Sequence, residues 1–303
     1  MNYLILIRYQ NLLFIALAQV FIKYSLFHAF GVETALTDFS FALLVLATIC
    51  IAAAGNIIND IYDVEIDRIN KPNKVLIGKM ISERSANRLF IILNITGVAI
   101  GFYLANTIGK PGFAALFIVF SALLYLYASY LKGILLVGNL LISVLVAMSL
   151  IIVVLFDLFP AITPHNQAMQ SVVFKIVMHY ALFAFFINLI REIVKDLQDI
   201  NGDKKGGMNT LPIALGRKRT VSVVFILGVI MVLGVVFYMY ENLYKEQILL
   251  LYFLFAIVAP LLYFCIKAWD ADTPRDYGLL SKLLKAIMFL GICSILLFKI
   301  VNS

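Results

Sequence analysis

The sequence predicts an all-α protein, a polytopic membrane bundle of about nine transmembrane helices. Hydrophobic residues make up 63% of the 303 positions and charged residues only 14%, and the mean hydropathy is +1.00. Soluble domains are about 45–50% apolar and about 25% charged. The apolar residues also form runs of roughly 18 or more, which are long enough to cross a bilayer core as helices. The candidate spans are Asn11–Phe27, Ser40–Asn59, Leu89–Ala105, Gly112–Tyr130, Leu135–Phe156, Val172–Ile190, Val221–Tyr240, Ile248–Ile266 and Leu279–Val301.

Lysine and arginine are concentrated in the even-numbered connections between these spans. The connections after the second and sixth spans are both strongly basic, whereas those after the first and fifth contain neither residue. Because basic connections stay on the cytoplasmic side, we expect the N-terminus and both basic connections in the cytoplasm of a cell-membrane protein. The net charge of +7 is therefore accounted for by the basic connections that set the membrane orientation. We expect membrane lipids around the chain, no nucleic-acid partner and no obligate protein partner.

Two acidic clusters share one spacing in a chain with only 17 acidic residues. Each follows the pattern D-x2-D-x3-D at the end of an apolar span, and corresponding residues are offset by 136 positions. The clusters are Asp60, Asp63 and Asp67, and Asp196, Asp199 and Asp203. This repetition predicts one transmembrane domain, 1–303, with pseudo-repeats at roughly 1–133 and 134–270 and an additional helix at 279–301.

The spacing of each cluster has a chemical consequence. Residues at i, i+3 and i+7 share one helical face, so three carboxylates repel one another there unless a cation compensates. Carboxylates and phosphate oxygens are the ligands that Mg²⁺ prefers. Two alternatives are solvated surface charge and the ion pathway of a cation-coupled secondary transporter. The repeated spacing disfavours the first, and the position of these dense groups at span ends disfavours the second.

The motifs around these acids resemble those of the UbiA superfamily of intramembrane prenyltransferases. The first family motif, NxxxDxxxD, is matched by Asn59, Asp63 and Asp67, and the second, DxxxD, by Asp199 and Asp203. Smaller matches are 8–11 (RYQN), 127–132 (YASYLK) and Gly138-Asn139. The resemblance implies a helical bundle around a central cavity, with polar caps at its cytoplasmic end. It also implies Mg²⁺-dependent transfer of a prenyl group from its diphosphate to a lipid-soluble acceptor.

The resemblance further implies a set of site residues. Asp63, Asp67, Asp199 and Asp203 are the expected catalytic residues and metal ligands. The expected substrate-binding residues are Asn59, Asp60, Asp196 and nearby cations that would take up phosphate oxygens. Those cations are Arg68, Lys71, Lys74, Arg191, Lys195 and Lys204. Lys74 stands where the family commonly has an Arg-Pro pair, so it keeps the charge without the planar grip of a guanidinium.

The acceptor is predicted from the segment around the second motif. Residues 191–203 (REIVKDLQDINGD), together with Ala54-Gly55-Asn56 before the first motif, most resemble the branch that attaches a geranylgeranyl group to geranylgeranylglyceryl phosphate. A phosphorylated acceptor needs cations beyond those serving the diphosphate, and Arg191 and Lys195 lie one helical turn apart. The alternative within the same class is an aromatic quinone precursor of the 4-hydroxybenzoate or naphthoate type.

Overall fold

The computed structural model describes residues 1–73 and 75–301. Within those residues nine helices are long and apolar enough to cross a membrane, which agrees with the predicted number. They are α1 Tyr9–Phe27, α2 Asp38–Tyr62, α3 Glu83–Thr107, α4 Pro111–Ser129, α5 Val137–Ala161, α6 Gln167–Lys205, α7 Arg217–Asn242, α8 Gln247–Trp269 and α9 Pro274–Val301. Shorter helices span Asn2–Leu6, Val64–Asn70 and Leu211–Leu215. The same residues form no β-strand, only an isolated bridge between Ile77 and Ile81.

Large apolar side chains cover the outside of the bundle. Ile95, Phe102 and Phe237, for example, are each more than 60% exposed although they lie within long membrane-spanning helices. A soluble protein would bury such side chains, whereas a bilayer solvates them. The predicted all-α polytopic membrane bundle is therefore confirmed, and the protein is an integral, multi-pass membrane protein. The pseudo-repeats stay a prediction.

Helix α2 carries the first acidic motif to its end and then turns. It begins after Thr37, whose hydroxyl accepts a hydrogen bond from the backbone N–H of Ser40 and caps the helix. It ends at Tyr62, and Asp63, with φ −90° and ψ 0°, is the turn residue that joins it to the next helix. The chain continues as the short helix Val64–Asn70. The three carboxylates of this motif are thus distributed over a helix end, a bend and a second helix rather than one continuous face.

Helix α6 carries the second acidic motif without any interruption. It is 39 residues long, about 58 Å at 1.5 Å per residue, whereas the apolar core of a bilayer is about 30 Å thick. The predicted span 172–190 is therefore only the middle of a much longer helix. Its last turns extend past the hydrocarbon region and hold the motif in a regular helical register.

A buried ion pair lies at the other end of the bundle. Lys23 of α1 donates to Asp157 of α5 at 2.8 Å and to the carbonyl of Leu36 at 2.7 Å. The backbone N–H of Leu36 donates in turn to Asp157. Both charged side chains lie in π-helical segments, Ile22–Phe27 and Val154–Leu158, a local widening of the helix that shifts side-chain register. The pair ties the connection between α1 and α2 to α5.

Candidate active site

A cavity of about 620 Å³ opens at the end of the bundle where the two acidic motifs lie. Its mouth is lined by charged and amide side chains from α2, α6 and the segments that follow α2 and α4. Its depth is lined by apolar side chains, among them Ile15, Ile51, Phe117, Phe120, Leu124, Leu145, Val146 and Ile152. The central cavity implied by the family resemblance is therefore present. One chamber combines a polar mouth with an apolar interior.

All six aspartates of the two motifs line this cavity, and so does Asn59. Neighbouring groups hold several of them in place. Asn59 donates to Asp63 at 2.7 Å, and Asn139 donates to Asp196 at 2.8 Å. The other carboxylate oxygen of Asp63 accepts from Lys132. The carboxylates are consequently positioned by side chains rather than free on a helix surface.

The two motif segments contact each other directly. The backbone N–H of Gly202 donates to the side-chain carbonyl of Asn70 at 2.8 Å, and Lys71 forms an ion pair with Asp199. The approach is close enough that a Cβ on Gly202 would lie 2.4 Å from the Asn70 amide nitrogen. Glycine is needed there because any side chain would separate the helices. Residues far apart in sequence thus form one continuous acidic wall.

Three of the predicted cations line the cavity, namely Lys71, Arg191 and Lys195. Arg68 and Lys204, which were also predicted to bind substrate, are not among its lining residues. Arg68 is exposed and pairs with Glu65 at 2.7 Å, and Lys204 is exposed to solvent. Each directly follows a motif aspartate. Because consecutive helical residues point about 100° apart, these two side chains are directed away from the cavity that the aspartates line. Lys74 lies outside the described residues.

Other lining residues were not among the predicted site residues. Arg8 pairs with Asp60 at 2.6 Å, and Lys132 pairs with Asp63. Tyr127 and Asn139 also line the cavity. All four fall within the smaller family matches, at 8–11, 127–132 and 138–139, so the sequence carried a signal for them. Glu192 lines the cavity as well; it lies outside these smaller matches but within the 191–203 segment that resembles one branch of the family.

The acidic residues of the cavity outnumber its basic ones. Seven acidic side chains and five basic ones line it. Burial raises the pKa of Asp67 to about 6, and the negative charge of nearby Asp63 adds to the effect while Lys71 opposes it.

Among the described residues no three acidic, histidine or cysteine side chains converge tightly enough to form a ready metal site. Two motif carboxylates are instead engaged by lysines. A surplus of oxygen ligands at the mouth nevertheless fits a hard divalent cation carrying phosphate.

The fold and this cavity point to a class of protein: an intramembrane transferase whose cavity has a charged mouth and an apolar interior. The UbiA prenyltransferase family model matches residues 12–292, and the chain belongs to this family of prenyltransferases. A digeranylgeranylglyceryl phosphate synthase from Korarchaeum cryptofilum is 33% identical over 271 residues, covering 88% of each chain.

Solved structures show the same fold. A structure of a digeranylgeranylglyceryl phosphate synthase is 24% identical, with a TM-score of 0.61 over 99% of this chain and 97% of that one. A UbiA homologue from Archaeoglobus fulgidus, bound to GPP and Mg²⁺, is 17% identical, with a TM-score of 0.56 over 97% of this chain and 100% of that one. The fold is therefore shared by sequences that have diverged widely.

Proposed function

We propose that this prenyltransferase attaches a geranylgeranyl group to geranylgeranylglyceryl phosphate, giving digeranylgeranylglyceryl phosphate. One observation carries the proposal: two aspartate motifs meet across a single cavity whose interior is apolar. That arrangement suits a donor with a diphosphate head and a long hydrocarbon chain. The names of relatives such as the Korarchaeum cryptofilum protein support the choice of geranylgeranyl and of a glyceryl phosphate acceptor.

The donor head lies at the acidic mouth in this proposal. In this proposal Asp63, Asp67, Asp199 and Asp203 hold Mg²⁺, and the A. fulgidus homologue bound to GPP and Mg²⁺ supports a Mg²⁺-dependent prenyl diphosphate donor. Bound Mg²⁺ neutralises the negative charge that develops on the departing diphosphate. Lys71 and Lys132, now paired with Asp199 and Asp63, lie close enough to the same mouth to donate to phosphate oxygens.

The prenyl chain occupies the apolar depth of the cavity. Lining side chains such as Phe117, Phe120 and Leu124 exclude water, which would otherwise capture the reactive C1 carbon of the donor. Tyr127 also lines the cavity, and the face of its aromatic ring would stabilise positive charge at C1. The chain therefore supplies a dry path for the tail and a stabilising surface for the reacting carbon.

The reaction exchanges one C–O bond for another. The bond between C1 of the donor and its diphosphate oxygen breaks, and the electron pair leaves with the diphosphate. The acceptor hydroxyl oxygen forms the new bond to C1, and its proton passes to the departing diphosphate or to solvent. Holding both reactants in one cavity makes this step effectively unimolecular.

Membrane orientation follows from charge in the same proposal. The basic connections after α2 and α6 and the N-terminus lie in the cytoplasm, and both motifs open on that side. A donor with a charged head then reaches the mouth from water, while a lipid acceptor arrives from the bilayer. Reaction of a membrane-impermeant label with single cysteines in these connections, in vesicles of known orientation, tests this arrangement.

The experiment on function uses purified protein in lipid vesicles with geranylgeranyl diphosphate and Mg²⁺. The acceptors are geranylgeranylglyceryl phosphate, 4-hydroxybenzoate and a dihydroxynaphthoate, and released diphosphate is measured. We expect release only with the glyceryl phosphate, lowered by about a thousandfold or more in Asp63→Ala and Asp199→Ala because several kcal/mol of charge stabilisation are lost. Release with an aromatic acceptor alone would reassign the acceptor. Unaltered release in both variants would refute the role of the motifs.

A further inference from the structure

Two stripes of opposite charge run side by side along the cavity end of α6. Glu192, Asp196, Asp199 and Asp203 are spaced four, three and four residues apart, which places them on one helical face. The neighbouring stripe has the same spacing, shifted by one residue toward the N-terminus; it consists of Arg191, Lys195 and Gln198. All seven side chains line the cavity. We call the second set the cationic stripe.

The two stripes face different parts of the bundle. Asp196 accepts a hydrogen bond from Asn139 of α5, so the acidic stripe is directed toward α5 and the first motif. Gln198 of the cationic stripe lies beside Gly278 of α9, and Ser281 of α9 also lines the cavity. The cationic stripe therefore forms a separate wall, on the side of α9.

Charge pairing differs between the two walls. The other three lining cations each pair with a motif aspartate, as in Arg8–Asp60 at 2.6 Å. Arg191 and Lys195 instead share a single carboxylate, Glu192, at 3.5 and 2.7 Å. In addition, the buried Arg191 Nε has no hydrogen-bond partner within the described part of the chain. This corner therefore has one positive charge in excess and an unused donor, which is the requirement of an anion and not of a metal ion.

We infer that Arg191 and Lys195 form a binding subsite for the phosphate of the acceptor, separate from the diphosphate site. The inference rests on the proposed function and adds to it the residues that select a phosphorylated acceptor. Along α6, Lys195 lies about 6 Å and Arg191 about 12 Å deeper than Asp199. The phosphate and the reacting hydroxyl of the acceptor belong to one glycerol unit. A phosphate on this stripe thus places the hydroxyl next to a donor whose head lies at Asp199.

Glu192 holds the two cations ready for that phosphate. Its carboxylate keeps Arg191 and Lys195 directed into the cavity, and its own side chain is only 12% exposed. A phosphate offers more acceptor oxygens than one carboxylate, and charge-assisted hydrogen bonds to it are among the strong ones. The subsite is therefore organised before the acceptor arrives.

The test compares two acceptors that differ only in the phosphate: geranylgeranylglyceryl phosphate and geranylgeranylglycerol. The variants are Arg191→Gln and Lys195→Gln, with Lys195→Arg as the conservative change and Lys205→Gln, an exposed lysine of the same helix, as control. We expect each Gln variant to raise KM for the phosphorylated acceptor about tenfold, because the loss of one charge-assisted hydrogen bond lowers the binding free energy by a corresponding amount. KM for the unphosphorylated acceptor and for the donor should stay within about twofold of the parent, and Lys195→Arg should restore the preference.

The outcomes separate this inference from the proposed function. If the parent consumes geranylgeranylglyceryl phosphate but the Gln variants keep its preference for that acceptor, the subsite is refuted and the function stands. A rise in donor KM with an unchanged acceptor preference would assign both cations to the diphosphate instead, and also refutes the subsite. If the parent releases no diphosphate with this acceptor, the proposed function itself is wrong.

Discussion

The two ends of the bundle each contain a lysine–aspartate pair, but in different surroundings. Lys23 and Asp157 are 7% and 0% exposed, and backbone groups of the connection after α1 satisfy both of them. Lys132 and Asp63 are 12% and 17% exposed and border a cavity of about 620 Å³. The first pair is buried and does not line that cavity. The second pair can exchange partners with whatever enters the cavity.

The comparison shows that the composition of an ion pair does not decide its role. In the closed pair, removing one charge leaves the other buried without compensation, which is expensive. In the open pair, water, a cation or a phosphate can take the place of the missing group. The same two residue types therefore stabilise the fold at one end and, on the proposed function, bind substrate at the other.

The largest expected effect comes from Lys23→Met. It leaves the Asp157 carboxylate buried and unpaired, so we expect a loss of about 3–5 kcal/mol in the free energy of unfolding. Activity per folded molecule should not change, because the pair lies about 20 Å from the motifs along α1. Chemical unfolding in mixed micelles measures the first quantity and diphosphate release the second. The double variant Lys23→Met/Asp157→Leu should recover most of the loss; no recovery would show that the pair is not the cause.

Lys132→Met is the matching change at the open end, with the opposite outcome. We expect the free energy of unfolding to change by less than about 1 kcal/mol, because Asp63 remains accessible to water. The ratio kcat/KM for the donor should fall about tenfold, since one cation facing the diphosphate is lost. A destabilisation as large as that of Lys23→Met, with normal kinetics, would remove the distinction between the two pairs.

The smallest expected effect comes from Gly202→Ala, which tests how tightly the motifs must approach. Its Cβ would lie 2.4 Å from the Asn70 amide nitrogen, so Asn70 must move and weaken its hydrogen bond from Gly202. We expect kcat to fall about fivefold, because small displacements of reacting groups are costly. The control is Gly234→Ala in α7, where nothing lies within 4 Å of the added carbon. Equal activities of the two variants would mean that the close approach is unimportant.

Much of the fold could be predicted from the sequence, because a bilayer imposes a simple rule. Long apolar runs must be helical there, and all nine predicted spans correspond to observed helices. The C-terminal end of α6 was not predictable from hydropathy, because residues 191–205 are largely polar and yet continue the helix. Likewise, nothing in the pattern indicated that Asp63 would break the helix in the first motif.

The candidate site was predictable where motifs repeat and less so where single charges matter. The aspartates and Asn59 all line the cavity as expected. The direction of each cation depends on local backbone geometry: Arg68 lies within the short helix Val64–Asn70 and pairs with Glu65, whereas Lys71 follows the end of that helix and reaches Asp199. Arg8 and Lys132 reach the motifs from elements remote in sequence. Only the packing of the bundle brings them there.

The unbroken length of α6 has a consequence for how the reaction is to be quantified. One rigid helix joins the layer where lipids mix laterally to the layer where water-borne molecules arrive. On the proposed function the acceptor therefore reaches the enzyme at a two-dimensional concentration, its mole fraction in the bilayer, which does not change when the suspension is diluted with buffer. Inert lipid, in contrast, lowers that fraction and slows turnover. The KM for the acceptor should therefore be expressed as a mole fraction of the membrane lipid rather than as a concentration in the surrounding solution.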